Sequence, residues 1–175
     1  MTRGIFDPWP ALILGVDPGK NSGWATFWNG EYLDSGECKS TDEAAILQVT
    51  STVAMLGTTY GTKPVLVIEQ HPWAGSLTAK SSLEASRAIW KMKWGTAGEA
   101  ARRTVDVNVA TWRSRLGIPT RGDKALRARI ELNTARTIAS RAVGPDEAAA
   151  VLIGKWGTFA PELAYVLPKA VTRQA

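Results

Sequence analysis

Two short runs constrain this chain more than anything else in it. Leu12-Ile13-Leu14-Gly15-Val16 ends on Asp17, and Pro64-Val65-Leu66-Val67-Ile68 ends on Glu69. Unbroken apolar runs of this length suit strands buried on both faces, which means a sheet with helices on either side. A carboxylate ending such a strand needs a reason. Asp17-Pro18-Gly19 is an ordinary turn, since Asp bonds its own backbone, Pro fixes φ and Gly accepts positive φ. A partnered surface acid would likewise account for Glu69. Two such strands in one small domain favour a shared origin: in a parallel sheet both acids emerge at one edge, where open α/β sheets place their sites.

The remaining segments build a sheet around these strands. Trp24 to Trp28 has strand composition, and Asn29-Gly30 favours a type I′ turn, so Glu31 to Cys38 returns antiparallel and completes a three-strand meander. A helix is expected from a cap at Ser40 or Thr41 to about Leu56, with Ala45, Ile46, Val49, Val53 and Leu56 as its apolar stripe. Leu77 to about Ala101 reads as a helix with Leu83, Ile89, Trp90 and Trp94 available for burial and Lys80, Arg87, Lys91 and Lys93 outside. Whether the two Trp face a partner or the core is open. Val105, Val107 and Val109 alternate with polar residues as a short strand, and Thr111 to Leu116 is a short helix stopped by Gly117 and Pro119. A long helix follows from Gly122 to Arg141, with Leu126, Ile130 and Ile138 inward, and a last one from Asp146 to about Trp156. The fold class is therefore α/β, with a mixed five-stranded sheet flanked by helices.

With 175 residues the chain has room for one domain. The expected division is an N-terminal tail at 1–10, the domain at 11–157 and a partly packed C-terminal tail at 158–175. The first ten residues are not expected to be a secretory signal or an anchor. Cys38 is the only cysteine, which excludes an internal disulfide and points to a reducing cytoplasm. His71 is the only histidine, so any metal must be held mainly by oxygen, which favours Mg2+ or Mn2+. Charge is segregated: 80–141 holds 14 Lys or Arg against 5 Asp or Glu, so a stretch at +9 sits in a chain of net +5. A basic face of this kind suits a polyanion, and solvated helices are its plain alternative.

Asp17, Glu69 and Asp146 or Glu147 make an acidic set drawn from two strands and a helix start. Two carboxylates about 4 Å apart repel by roughly 4 kcal/mol at an effective dielectric near 20, so a convergent site must bind a cation or protonate. At a helix N-terminus, however, acids are favourable caps in their own right. The order Gly-Val-Asp17-Pro-Gly, Val-Ile-Glu69-Gln, Trp112-Arg113-x-x-Leu-Gly, Gly122-Asp-Lys124 and Asp146-Glu-Ala-Ala-Ala, running from Ala11 to Trp156, resembles the RuvC-type Holliday-junction resolvases, which have the RNase H-like fold.

That resemblance implies a homodimeric crossover junction endodeoxyribonuclease. It would hydrolyse four-way DNA junctions to a 5′-phosphate and a 3′-hydroxyl with one or two Mg2+, Mn2+ substituting, bound by Asp17, Glu69 and Asp146. The family carries a second acid three residues away on the last helix. Here that position is Ala149 or Val143, which leaves Glu147 as a substitute ligand or a second ion weakly held. Lys124 and Arg113 resemble basic residues that approach the scissile phosphate, and Trp73 lies close to where the family places an aromatic at the junction centre. With Lys80, Arg87, Arg115, Arg121 and Arg127 they are the candidate DNA contacts. Backbone-phosphate contact for the cations and core burial for Trp73 are the competing readings. Other functions remain open: an RNase H-like nuclease acting on RNA–DNA hybrid or flaps, or a non-catalytic junction-binding protein.

Overall fold

The computed structural model describes residues 12–70, 76–97 and 103–159. Five strands form one sheet: β1 (Leu12–Asp17), β2 (Asn21–Trp28), β3 (Glu31–Lys39), β4 (Val65–Gln70) and β5 (Arg103–Asn108), in the order β3-β2-β1-β4-β5. β1 to β3 are the antiparallel meander, while β1–β4 and β4–β5 pair in parallel. The expected mixed sheet is therefore present, and its β2–β3 hairpin turns on Asn29 and Gly30, both at positive φ as a type I′ turn requires.

Strand alternation sorts the core into two layers. Leu12, Leu14, Val16, Leu66 and Ile68 face a layer with Ile46, Val53, Trp90 and Trp94, supplied by α1 (Glu43–Thr59) and α2 (Leu77–Thr96). Trp90 and Trp94 are thus core residues. Ile13, Val65 and Val67 face the other way, into a layer with Phe27, Trp112, Val151 and Trp156, supplied by α3 (Val109–Arg115), α4 (Lys124–Ala139) and α5 (Pro145–Gly157).

α5 lies closer to the sheet than side chains usually permit. A Cβ on Gly15 of β1 would fall 2.6 Å from Gly154 Cα, and one on Gly154 would fall 2.6 Å from Phe27 Cε2. Glycine costs a helix or strand roughly 0.5–1 kcal/mol relative to alanine, and here it permits backbone-to-backbone approach.

Element ends moved by a few residues. α1 is capped by Asp42, whose side chain accepts from Ala45 N–H, rather than by Ser40 or Thr41. Asp123 caps α4 in the same way. Two side-chain expectations are corrected. Leu126 is 45% exposed, because it sits in the first turn of α4 beyond the end of the core. Arg87 was placed outside as a DNA contact, yet it is 6% exposed. Its guanidinium binds Glu84 one turn back and Asp106 on β5, each at 2.7 Å, and its remaining donor, Nε, is buried, so no part of it is presented to a phosphate. Among the described residues no helix is long and apolar enough to cross a membrane.

Candidate active site

The two strand-end acids come together through register. Ile13 to Val16 pair in sequence with Val65 to Ile68, so the next positions, Asp17 and Glu69, continue that register on neighbouring strands, which lie about 4.8 Å apart. Residues 13, 15 and 17 share one face of β1, and 65, 67 and 69 share the same face of β4. Ile13, Val65 and Val67 all lie in the α5 layer, so both acids belong to the face that α5 covers. On the other side of Asp17 its antiparallel partner is Gly23. A Cβ there would overlap the Asp146 carbonyl oxygen and come 3.0 Å from Glu147 N. The first turn of α5 is therefore seated directly on β2 beside Asp17, and Asp146 arrives there because Gly23 has no side chain. Asp17 and Asp146 are half-buried.

Glu69 is 4% exposed. Its Oε2 accepts a 2.7 Å hydrogen bond from the indole Nε1 of Trp112, itself 1% exposed. Burial pushes the Glu69 carboxyl up to about 7, against the opposing pull of the Trp112 bond and the Arg113 charge, while Glu131 on α4 adds to the rise. Glu131 and Arg113 were not expected together. Arg113 Nε lies 2.6 Å from Glu131 Oε1, without hydrogen-bond geometry at either atom. Arg113 is consequently held by an acid inside the site, not extended into solvent. The sequence signal was present, since Glu131 is the one acid in the Arg-rich stretch Lys124–Ala139.

A pH-dependent stability follows. Between the ordinary glutamate value of 4.5 and about 7 the folded protein holds the proton that the unfolded chain has lost, so stability falls as pH rises through that window and is flat above it. Glu69→Gln retains an acceptor for Trp112 and removes the charge. In EDTA at pH 8 the variant should be more stable than the parent by about 3 kcal/mol, and at pH 4 the two should be equal. Thermal denaturation at both pH values checks this, and equal midpoints at pH 8 would contradict the burial cost.

Glu147, the candidate substitute ligand, has a different assignment. Its carboxylate accepts from Ser35 Oγ at 2.7 Å, from Arg141 Nη2 and from Gly144 N–H at 3.2 Å. Desolvation raises its pKa, and the bonds from Arg141, Ser35 and Gly144 outweigh this and hold it below the usual range. Folding back onto Gly144 is the N3 half of a capping box. Gly144 has no side chain to complete it, and Glu37 of β3 does so instead by accepting from Glu147 N–H at 3.1 Å. Glu147 fastens the start of α5 to β3, which removes it from the ligand set.

The other expected residues are spread around this centre. Lys124 is exposed at the first position of α4, seven residues before Glu131 and hence on the same helix face about 10.5 Å away. Lys80, Arg115 and Arg121 are exposed, and Arg127 is half-buried with Nη1 reaching the Thr120 carbonyl. Trp73, His71, residues 1–11 and residues 160–175 lie outside the described residues. Among the described residues no three of the His, Cys, Asp and Glu side chains are gathered closely enough to hold a metal ion. The donor chemistry nonetheless fits Mg2+, which binds through one or two carboxylates and completes its shell with water and substrate phosphate. Asp17 and Glu69 are two carboxylates at adjoining strand ends that would fit such a shell.

Comparison with solved structures gives the architecture a family likeness. Thermus thermophilus RuvC in complex with a Holliday junction substrate superposes with a TM-score of 0.58 at 12% identity, over 83% of this chain and 91% of that one. Thermus thermophilus RuvC in a second structure superposes at 0.57 and 13% identity, over 82% and 91%. The chain has the RuvC fold. The resemblance to RuvC-type resolvases read from the motifs therefore holds for the fold, RNase H-like with its mixed sheet. No protein-family model matches the chain, and no curated protein does.

Proposed function

We propose that the protein is a divalent-metal-dependent endonuclease that resolves four-way DNA junctions. The observation that carries the reading is the register of β1 on β4, which sets Asp17 beside Glu69 on the face where Gly23 admits the start of α5 and Asp146. Asp17 and Glu69 would hold the cation, with Asp146 beside them at the start of α5. Such an ion, when bound, makes water acidic enough to attack at neutral pH and takes up charge on the leaving oxygen. Glu69 orients from a water-poor wall, and its charge is disfavoured until a cation arrives. Lys124, exposed at the start of α4, is the residue that offers an ammonium to the phosphate flanking the site, as a point-charge clamp. The likeness to RuvC, one structure of which holds a Holliday junction substrate, supports DNA branch recognition, and a homodimer would present two equivalent sites to two equivalent strands.

The test is a Mg2+ titration on a mobile four-way junction with products mapped on every strand. Symmetrical nicks ending in 5′-phosphate and 3′-hydroxyl are expected. Scattered nicks, or preferred cleavage of RNA–DNA hybrid or flaps, would point to a general RNase H-like nuclease. A second reading, a non-catalytic junction binder, is favoured by the absence of a gathered three-acid group among the described residues. It predicts tight binding with no Mg2+-dependent product.

A further inference from the structure

We propose that Trp112 is a positioning residue for metal binding, its indole N–H fixing the Glu69 carboxylate in the orientation that receives the cation. The proposal rests on the metal-site reading above. Three observations support it. The bond is short, at 2.7 Å, and both partners are almost fully buried, so water does not compete for the donor or the acceptor. The donor is rigidly mounted: the ring is part of the α5-side core with Val107, Ile118 and Val143, on a helix whose start is capped by Asn108 accepting from Ala110 N–H at 2.8 Å. The aim is also specific. Trp90 and Trp94 bury their indole nitrogens in the opposite layer with no hydrogen-bond partner, so burying a Trp in this fold does not by itself bring its N–H to an acid.

The chain positions donor and acceptor independently. Glu69 is the fifth residue of β4 and pairs with Val107 of β5, and the chain then runs from β5 into α3, where Trp112 is the fourth residue. The crossover from β5 to α3 is short, so the indole is brought back over the end of the adjacent strand. A carboxylate on a flexible Glu side chain loses rotamer freedom when it becomes a ligand, and a fixed second partner takes that loss during folding. Loss of such outer partners typically weakens metal affinity by 10–100-fold.

The experiment uses the full chain without DNA and Mn2+ or Mg2+ alone as probe. Trp112→Phe keeps an aromatic ring and deletes the donor, while Trp90→Phe makes the same chemical change where no bond is lost. Calorimetric titration should show Mn2+ affinity lowered about tenfold in Trp112→Phe and unchanged in Trp90→Phe, whatever each does to the thermal midpoint. In 15N-edited NMR of the indole groups, the resonance absent from Trp112→Phe should move when Mg2+ is added to the parent, and the one absent from Trp90→Phe should not. Equal Mn2+ affinity in parent and Trp112→Phe, with the parent binding normally, would overturn the positioning role and leave the metal site standing. No Mn2+ binding by the parent would overturn both.

Discussion

Asp17→Asn should abolish junction cleavage and leave junction affinity intact. Asn has the shape of Asp and keeps an acceptor for the Asp-Pro-Gly turn, so the strand end should persist, and the residue is only half-buried. The charge is what disappears. Asp17 ends the central strand, with Gly23 on one side and Glu69 on the other, so a cation held between the proposed ligands uses it. Metal-assisted stabilisation of transition-state charge is worth several kcal/mol, which corresponds to a rate loss on the order of 10³-fold. Single-turnover cleavage of a labelled junction at saturating Mg2+ reads the rate, and equilibrium binding in EDTA reads the affinity. Nicking at the parental rate by this variant would remove Asp17 from the chemistry and with it the metal reading of the site.

The sheet was legible because its signals are local. A run of apolar residues ending on an acid needs no knowledge of the rest of the chain, and Asn29-Gly30 specifies its own turn. The pairing of Asp17 with Glu69 followed from having two such strands in one sheet. What could not be read concerns depth and long-range partners. Helical spacing placed Arg87 on the polar side of α2, but the carboxylate that draws it inward is Asp106, 19 residues away on β5. Glu147 looks the same as Asp146 in sequence, and one residue of helix, about 100°, separates a side chain facing Ser35 from a backbone seated on Gly23. Glu131 lies mid-helix among arginines, where the surface-ion-pair reading is the natural one, yet its partner Arg113 brings it next to Glu69. In each case the deciding contact joins elements far apart in the chain.

The glycines carry the same lesson, and they give the second large effect. Gly154 in a helix interior reads as a defect, and Gly23 in a strand reads as a loop remnant. Both mark where α5 touches the sheet. Gly23→Ala should cost 1–3 kcal/mol of stability, the usual range for overpacking, because the new Cβ would meet backbone, the Asp146 carbonyl oxygen, which cannot rotate away. The start of α5 must lift, carrying Asp146 with it. A displacement near 1 Å at a reacting centre can cost about 10²-fold in rate, so cleavage should fall in protein that is still folded, while junction affinity holds. Gly157→Ala is the matched control at the far end of the same helix. Its Cβ would lie 3.0 Å from Ile13 Cγ2 and Val67 Cγ2, side-chain atoms that can shift, and no candidate ligand sits there. Denaturant unfolding and cleavage rates of the two variants separate the cases: a similar loss of stability with loss of activity only in Gly23→Ala locates the function at the start of α5. If instead both lose activity in proportion to stability, α5 contributes packing alone, and Asp146 has no place in the ligand set.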